Sequence, residues 1–146
     1  SRRQRQMCIR DSVVTDQQGR VLTVRKRGTH SFMFPGGKPE PQESALDAAV
    51  REVREELGVD IPRQALEYLG RWETQAANEA GHELVGEVFL WNNSGGDHDL
   101  ANISPQAEIE ELRWSRPEES LRDGDIAPLT RDCVFPLLIE RAARNA

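Results

Sequence analysis

The sequence predicts a single α/β domain, and three observations carry that reading. Short runs of alternating apolar and polar residues recur along the chain. One amphipathic helix with both ends marked lies in its first half, and a second helical stretch closes it. At 146 residues, 37% hydrophobic and 30% charged, the chain has enough apolar material for one packed core and reads as globular, not disordered. No internal repeat or domain boundary interrupts residues 7–146. The basic, polar residues 1–6 read as a frayed or vector-derived start without function.

Taken in order, Met7–Thr15 reads as a strand, Asp16–Gly19 as a turn and Val21–Arg27 as the hairpin partner. Phe32–Phe34 is a short strand feeding Pro35, Gly36, Gly37 and Lys38, where paired glycines let the backbone turn sharply and approach a ligand. A helix starts at Ala45. Ser44 is its N-cap, Asp47 stands where a capping box reaches back, and Gly58 supplies the left-handed stop. Leu46, Ala49, Val50, Val53 and Leu57 recur at helical spacing and predict the stripe that faces the core. Pro62 breaks the chain before two strands, Leu66–Thr74 and Glu83–Trp91, joined by a connector with Asn78 and Gly81 as turn residues. Residues 92–104, rich in Gly, Asp and Asn, predict a loop that is either solvated or a lid. Ile109–Trp114 reads as a strand and Pro117–Leu121 as a helical turn. A C-terminal helix runs from Pro128 or Thr130 to Ala143, with Pro136 as a kink.

The chemistry concentrates on the first helix. At about 100° per residue, Glu52, Glu55 and Glu56 gather on a face about 120° from the apolar stripe. Like charges at this spacing repel, so a cation belongs among them, and a hard divalent ion such as Mg2+ or Mn2+ suits oxygen ligands. The competing reading is a solvated acidic face. Arg51, one turn before Glu55, is spaced to pair with it and fix its rotamer, and Glu43 is placed to meet the same guanidinium.

Spacing separates the two readings. Gly37, Glu43, Arg51, Glu52, Val53, Glu55, Glu56, Gly58 and Val59 fill all nine specified positions of the pattern G-x5-E-x7-R-E-U-x-E-E-x-G-U, with U aliphatic. This resembles the signature box of the Nudix hydrolases, in particular their MutT-like branch. The resemblance implies an α/β/α sandwich with a mixed sheet between helices. It also implies hydrolysis of a nucleoside diphosphate linked to another group, with Mg2+ or Mn2+ as cofactor. It assigns Glu52, Glu55, Glu56 and the Gly36 carbonyl to metal, with Arg51 and Glu43 as supports. A glutamate before a tryptophan also reaches the metal site in MutT-like enzymes; Glu108, six residues before Trp114, is the first choice, with Glu110 and Glu111 as rivals. Either Glu52 or Glu108 would take the proton from water. Homodimers are also common in the family.

Substrate contacts are less sharply marked. Arg25 and Arg27 share a strand face and are candidates for substrate phosphates, as is Lys38 in the glycine loop; the alternative is solvated charge. Trp72, Trp91, Phe32 and Tyr68 are either core or stacking faces for a base. His30, His82 and His98 lack metal-ligand spacing, and Cys8 and Cys133 suggest neither metal site nor disulfide. A net charge of −6 argues against a nucleic-acid polymer, and no apolar run reaches the length of a membrane span, so a cytoplasmic location is expected; the resemblance implies a small nucleotide as substrate. The MutT-like look of the glycine loop favours a nucleoside triphosphate, an oxidised purine among the options. The asparagine with which MutT reads guanine has no counterpart in Pro128–Asp132, and ADP-ribose pyrophosphatases carry a proline where Gln75 and Ala76 stand. An ADP-ribose or nucleotide-sugar pyrophosphatase and a non-catalytic nucleotide sensor remain as alternatives. The isopentenyl diphosphate isomerase of the same fold needs a cysteine context that Cys8 and Cys133 lack.

Overall fold

The computed structural model describes residues 5–77, 81–92, 100 and 103–145. Among them are strands β1 (Arg5–Thr15), β2 (Val21–Lys26), β3 (Phe32–Met33), β4 (Gly36–Gly37), β5 (Leu66–Gln75), β6 (His82–Asn92) and β7 (Ile109–Ser115). Helix α1 spans Ala45–Leu57 and α2 spans Phe135–Arg144. β1 begins at Arg5, two residues earlier than the alternation suggested, because it pairs along its whole length with β6.

β1 is the axis of the sheet. One edge runs parallel to β6, from Arg5 opposite His82 to Thr15 opposite Asn92. The other edge is divided. β2 pairs antiparallel at Thr15, and β4 takes Arg10 and Asp11 opposite Gly37 and Gly36. β3 and β7 add to β2, and β5 adds to β6, giving a mixed sheet in the order β3-β2-β1-β6-β5 with β4 and β7 off that path. The glycine segment is therefore a second short pairing on β1, not a free loop after β3.

Strand alternation divides the core into two layers. Val14, Leu22 and Val24 face Val53 and Leu57 of α1. Val13, Val21 and Val88 face Leu129, Val134 and Phe135 at the C-terminal end. The result is the α/β/α sandwich expected above.

α1 begins and ends where its sequence signals lie. The Ser44 hydroxyl accepts the Asp47 amide at 3.1 Å, and Gly58, at φ 72°, donates its amide to the Arg54 carbonyl at 2.9 Å. The Asp47 carboxylate pairs with Arg63 at 3.0 Å, where a capping box would return it to Ser44. The C-terminal helix differs more. Leu129–Val134 is a π-helical segment, and the Phe135 amide reaches back five residues to the Thr130 carbonyl. Pro136 falls in the first turn of α2, so the wide turn absorbs its missing donor in place of a kink. Asn78, His98 and most of the expected lid lie outside the described residues; of that loop, Leu100 is buried and Ile103 packs on the α1-side core.

Candidate active site

Glu56 corrects the expected acidic face. It lies seven residues, about two turns, after Ala49 and three after Val53, both fully buried, so its side chain enters the core-facing arc. It is 2% exposed. The Gly36 amide donates to its Oε1 at 3.2 Å, and Oε2 has no hydrogen-bond partner. Burial pushes its carboxyl up to about 9; the charges of Glu52 and Asp11 add to the rise, while Lys26 and the Gly36 amide oppose it. Glu52 is mostly covered, and Glu55 is half exposed at the cluster's outer rim.

The two glycines are required by proximity. A Cβ on Gly37 would lie 2.6 Å from the Glu52 carboxylate, and one on Gly36 would lie 2.0 Å from Asp11 Oδ1 and 2.4 Å from the Arg10 carbonyl. β4 thus carries its backbone between the glutamates of α1 and the middle of β1.

Arg51 organises the polar side of this cluster. Its Nε and Nη2 donate to the two oxygens of Glu43 at 2.9 Å each. Nη1 donates to Glu52 Oε1 at 2.9 Å and to Glu55 Oε2 at 3.3 Å, and Nη2 also reaches the Lys38 carbonyl at 3.0 Å. The hydrogen bonds from Arg51 hold the Glu43 carboxyl down at about 2, and those from Glu43 raise the guanidinium further. One cation therefore fixes three box glutamates and the glycine loop.

Beside the cluster lies a cavity of about 170 Å³ between β1 and the Ala127–Thr130 segment. Met7, Ile9, Met33 and Leu129 make its lining largely apolar, and Asp11 and Lys26 lie at its polar side. Asp11 is buried, and desolvation holds its carboxyl well above the usual carboxylate range. Lys26 draws both Asp11 and Glu56 the other way, and its Nζ lies 3.3 Å from Glu108 Oε1.

The sequence-derived candidates separate cleanly. Arg51, Glu43, Glu52, Glu55, Glu56 and Gly36 are brought together. Glu108 joins through Lys26 from an exposed position, whereas Glu110 and Glu111 face Arg25 at 3.9 and 3.2 Å. Arg25 is also tied to the Thr29 carbonyl at 3.0 Å, Arg27 is exposed, and neither lines the cavity. The Lys38 side chain is exposed; its carbonyl is what meets Arg51. Phe32 and Trp91 are core residues, and the Arg113 guanidinium covers Phe32 at 3.8 Å. Trp72 packs on the core, and Tyr68 is exposed and bonded to Glu87 at 3.1 Å; none of the four aromatics lines the cavity.

Sequence reasoning missed Asp11 and Lys26. The register of β2 against β7 shifts between Arg25 and Lys26, and it is Lys26, not Arg25, that lines the cavity. The signal for Asp11 was present: it interrupts the apolar row Met7, Ile9, Val13 on one face of β1.

Among the described residues no three His, Cys, Asp or Glu side chains close into a cage for an ion. The donors nevertheless fit a hard cation in an open site. They are carboxylate oxygens beside a backbone segment, one of them buried without a partner, and Mg2+ characteristically keeps water and phosphate oxygens among its ligands.

Comparison with known proteins shows the family. The NUDIX domain profile matches residues 9–133. The chain is 28% identical over 115 residues to a protein named putative 8-oxo-dGTP diphosphatase YtkD of Bacillus subtilis, covering 75% of this chain and 65% of that one. It is 27% identical over 139 residues to the CTP pyrophosphohydrolase of Escherichia coli, covering 92% and 94%. It is 45% identical over 119 residues to an Escherichia coli RNA pyrophosphohydrolase, covering 73% and 61%, so it spans less than two thirds of that relative and of YtkD. In fold it matches the MutT protein of Methanosarcina mazei with a TM-score of 0.76 at 20% identity, over 97% and 99% of the two chains. With an intact signature box, the sandwich and a profile match over most of its length, the chain belongs to the Nudix hydrolase family.

Proposed function

We propose that this Nudix domain hydrolyses a nucleoside triphosphate, with the phosphate chain at the α1 glutamates and the nucleoside in the neighbouring cavity. The observation that carries this reading is the shared border of the two. Asp11 lines the cavity and abuts Gly36, whose amide is bonded to Glu56. Glu52, Glu55, Glu56, the Gly36 carbonyl and Glu108 would hold Mg2+ or Mn2+. When bound, such ions neutralise the anhydride and make water a better nucleophile.

The chain's own groups do the remaining work. Arg51 holds Glu52 Oε1, which leaves Oε2 to take the proton of the attacking water. Water oxygen then bonds to phosphorus as the bridging P–O bond breaks, and the leaving phosphate takes the electron pair. Lys26 supplies a positive charge at the cavity's edge for a phosphate oxygen. The apolar lining, with two methionines, suits the flat face of a base with little selectivity.

The test is product release from a panel of ordinary and oxidised nucleoside triphosphates, ADP-ribose and a 5′-triphosphorylated RNA, each with Mg2+, Mn2+ or chelator. Metal-dependent turnover of free triphosphates supports the reading, and phosphate against pyrophosphate identifies the phosphorus attacked. Preference for ADP-ribose or for the RNA would replace it, and binding without turnover would make the chain a sensor.

A further inference from the structure

Asp11 is an unusual residue for its position. Met7, Ile9 and Asp11 are alternate residues of β1 on the face turned towards the C-terminal segment, and all three line the cavity. Val13 continues the same row into the core. An apolar side chain at position 11 would complete that row at no electrostatic cost. Asp11 is 3% exposed and lines the cavity, and among the described residues no hydrogen bond or ion pair reaches its carboxyl; its oxygens open on the cavity and are not among the sealed, unpartnered atoms. Burying such a group without a partner is destabilising, so a partner that arrives from outside is the economical explanation.

Its location narrows what that partner is. Oδ1 lies against the Gly36 backbone, at the end of the cavity nearest the glutamates of α1. A molecule with its phosphates at those glutamates and an apolar end beside Met7 and Leu129 must pass Asp11 where phosphate gives way to nucleoside. The groups available at that point are hydroxyls of the sugar or N–H groups of the base, and a carboxyl oxygen accepts hydrogen bonds from both.

Resting on the nucleotide reading above, we propose that Asp11 is a specificity-determining residue, whose carboxyl accepts a hydrogen bond from a donor on the nucleoside part of the substrate. It acts on binding and discrimination, and the metal and water chemistry stays with α1. A site built around a hydrogen-bonding group rejects an analogue lacking the matching donor far more strongly than an apolar pocket does.

The experiment compares wild type, Asp11→Val and Asp11→Asn on ribo-, 2′-deoxy- and 2′,3′-dideoxynucleoside triphosphates of each base, with kcat, KM, half-saturating Mg2+ and melting temperature measured for each protein. The expected result for Asp11→Val is a KM raised about tenfold or more on the preferred substrate, and loss of discrimination along one series. It should show a kcat within a few-fold and a melting temperature no lower than wild type. Asp11→Asn, which keeps an acceptor oxygen, should recover much of the KM. Loss of discrimination along the sugar series assigns a hydroxyl as the donor, and along the base series an N–H. An unchanged KM on every substrate overturns the proposal, as does a defect confined to kcat with a raised Mg2+ requirement. A wild-type chain that neither binds nor cleaves any nucleotide removes the nucleotide reading itself, and the proposal with it.

Discussion

Arg51 and Glu43 form a two-point contact, with Nε and Nη2 each 2.9 Å from one oxygen of the same carboxylate, while Nη1 of that guanidinium reaches Glu52 and Glu55. The pair bridges the loop before α1 and the acidic face of the helix. Lysine retains the charge but cannot hold this fork. Arg51→Lys should therefore lower kcat by about 10²-fold, the scale of a displacement near 1 Å in a catalytic group, with the fold intact by circular dichroism.

The same pair sets an acid limit. Glu43 titrates near 2 in the folded chain against an ordinary 4.5. The unfolded chain binds the proton first as pH falls, so the stabilisation is complete above about 4.5 and disappears as pH drops towards 2. Melting curves of wild type and Glu43→Gln should converge over that interval. A constant gap down to pH 2 would contradict the assignment.

Glu56 predicts the opposite slope. Its folded value of about 9 lies above the ordinary 4.5, so between these values the unfolded chain releases a proton that the folded chain retains. Metal-free protein should lose stability steadily from about pH 5 to pH 9. Glu56→Gln should flatten that slope in calorimetry and be the more stable protein at pH 8. Mg2+ must displace the proton, so its stabilising effect on wild type should be larger at pH 9 than at pH 6.

Glu55 is half exposed and held only at 3.3 Å by Arg51. Glu55→Gln should leave the melting temperature within a few degrees while cutting turnover by orders of magnitude, about 10²-fold or more for a lost metal ligand. A variant with near-normal turnover would remove Glu55 from the metal set.

The glycines should respond differently to alanine. At Gly37 the added carbon meets the end of a side chain, the Glu52 carboxylate, so the damage should fall on kcat. At Gly36 it meets the Arg10 carbonyl and Asp11 Cα in the sheet, and a loss of about 1–3 kcal/mol is expected in denaturant titrations.

Much of this was legible in the chain because it is local. Ser44 and Gly58 bracket α1 by hydrogen bonds to residues three and four away, and the box spacing then fixes which glutamates share a helix. What stayed hidden depends on distant partners. Helical phase turns Glu56 inward, but the Gly36 amide that meets it there comes from β4, and that strand's pairing with β1 has no sequence signature. Lys26 was passed over for its arginine neighbours because the register shift that follows Arg25, and the cavity that Lys26 lines, have no local signature. The π-helical turn before Pro136 reflects a proline that sequence reading registers only as an interruption.

The side-by-side run of β1 and β6 has a kinetic consequence. Arg5–Thr15 finds its parallel partner only in His82–Asn92, so the sheet's axis forms after roughly half the chain has been brought back on itself. That closure costs entropy before any contact rewards it, and such topologies fold slowly. A nascent chain halted before residue 82 would contain the whole signature box yet lack β6, the partner of β1 along its entire length, and should therefore be inert.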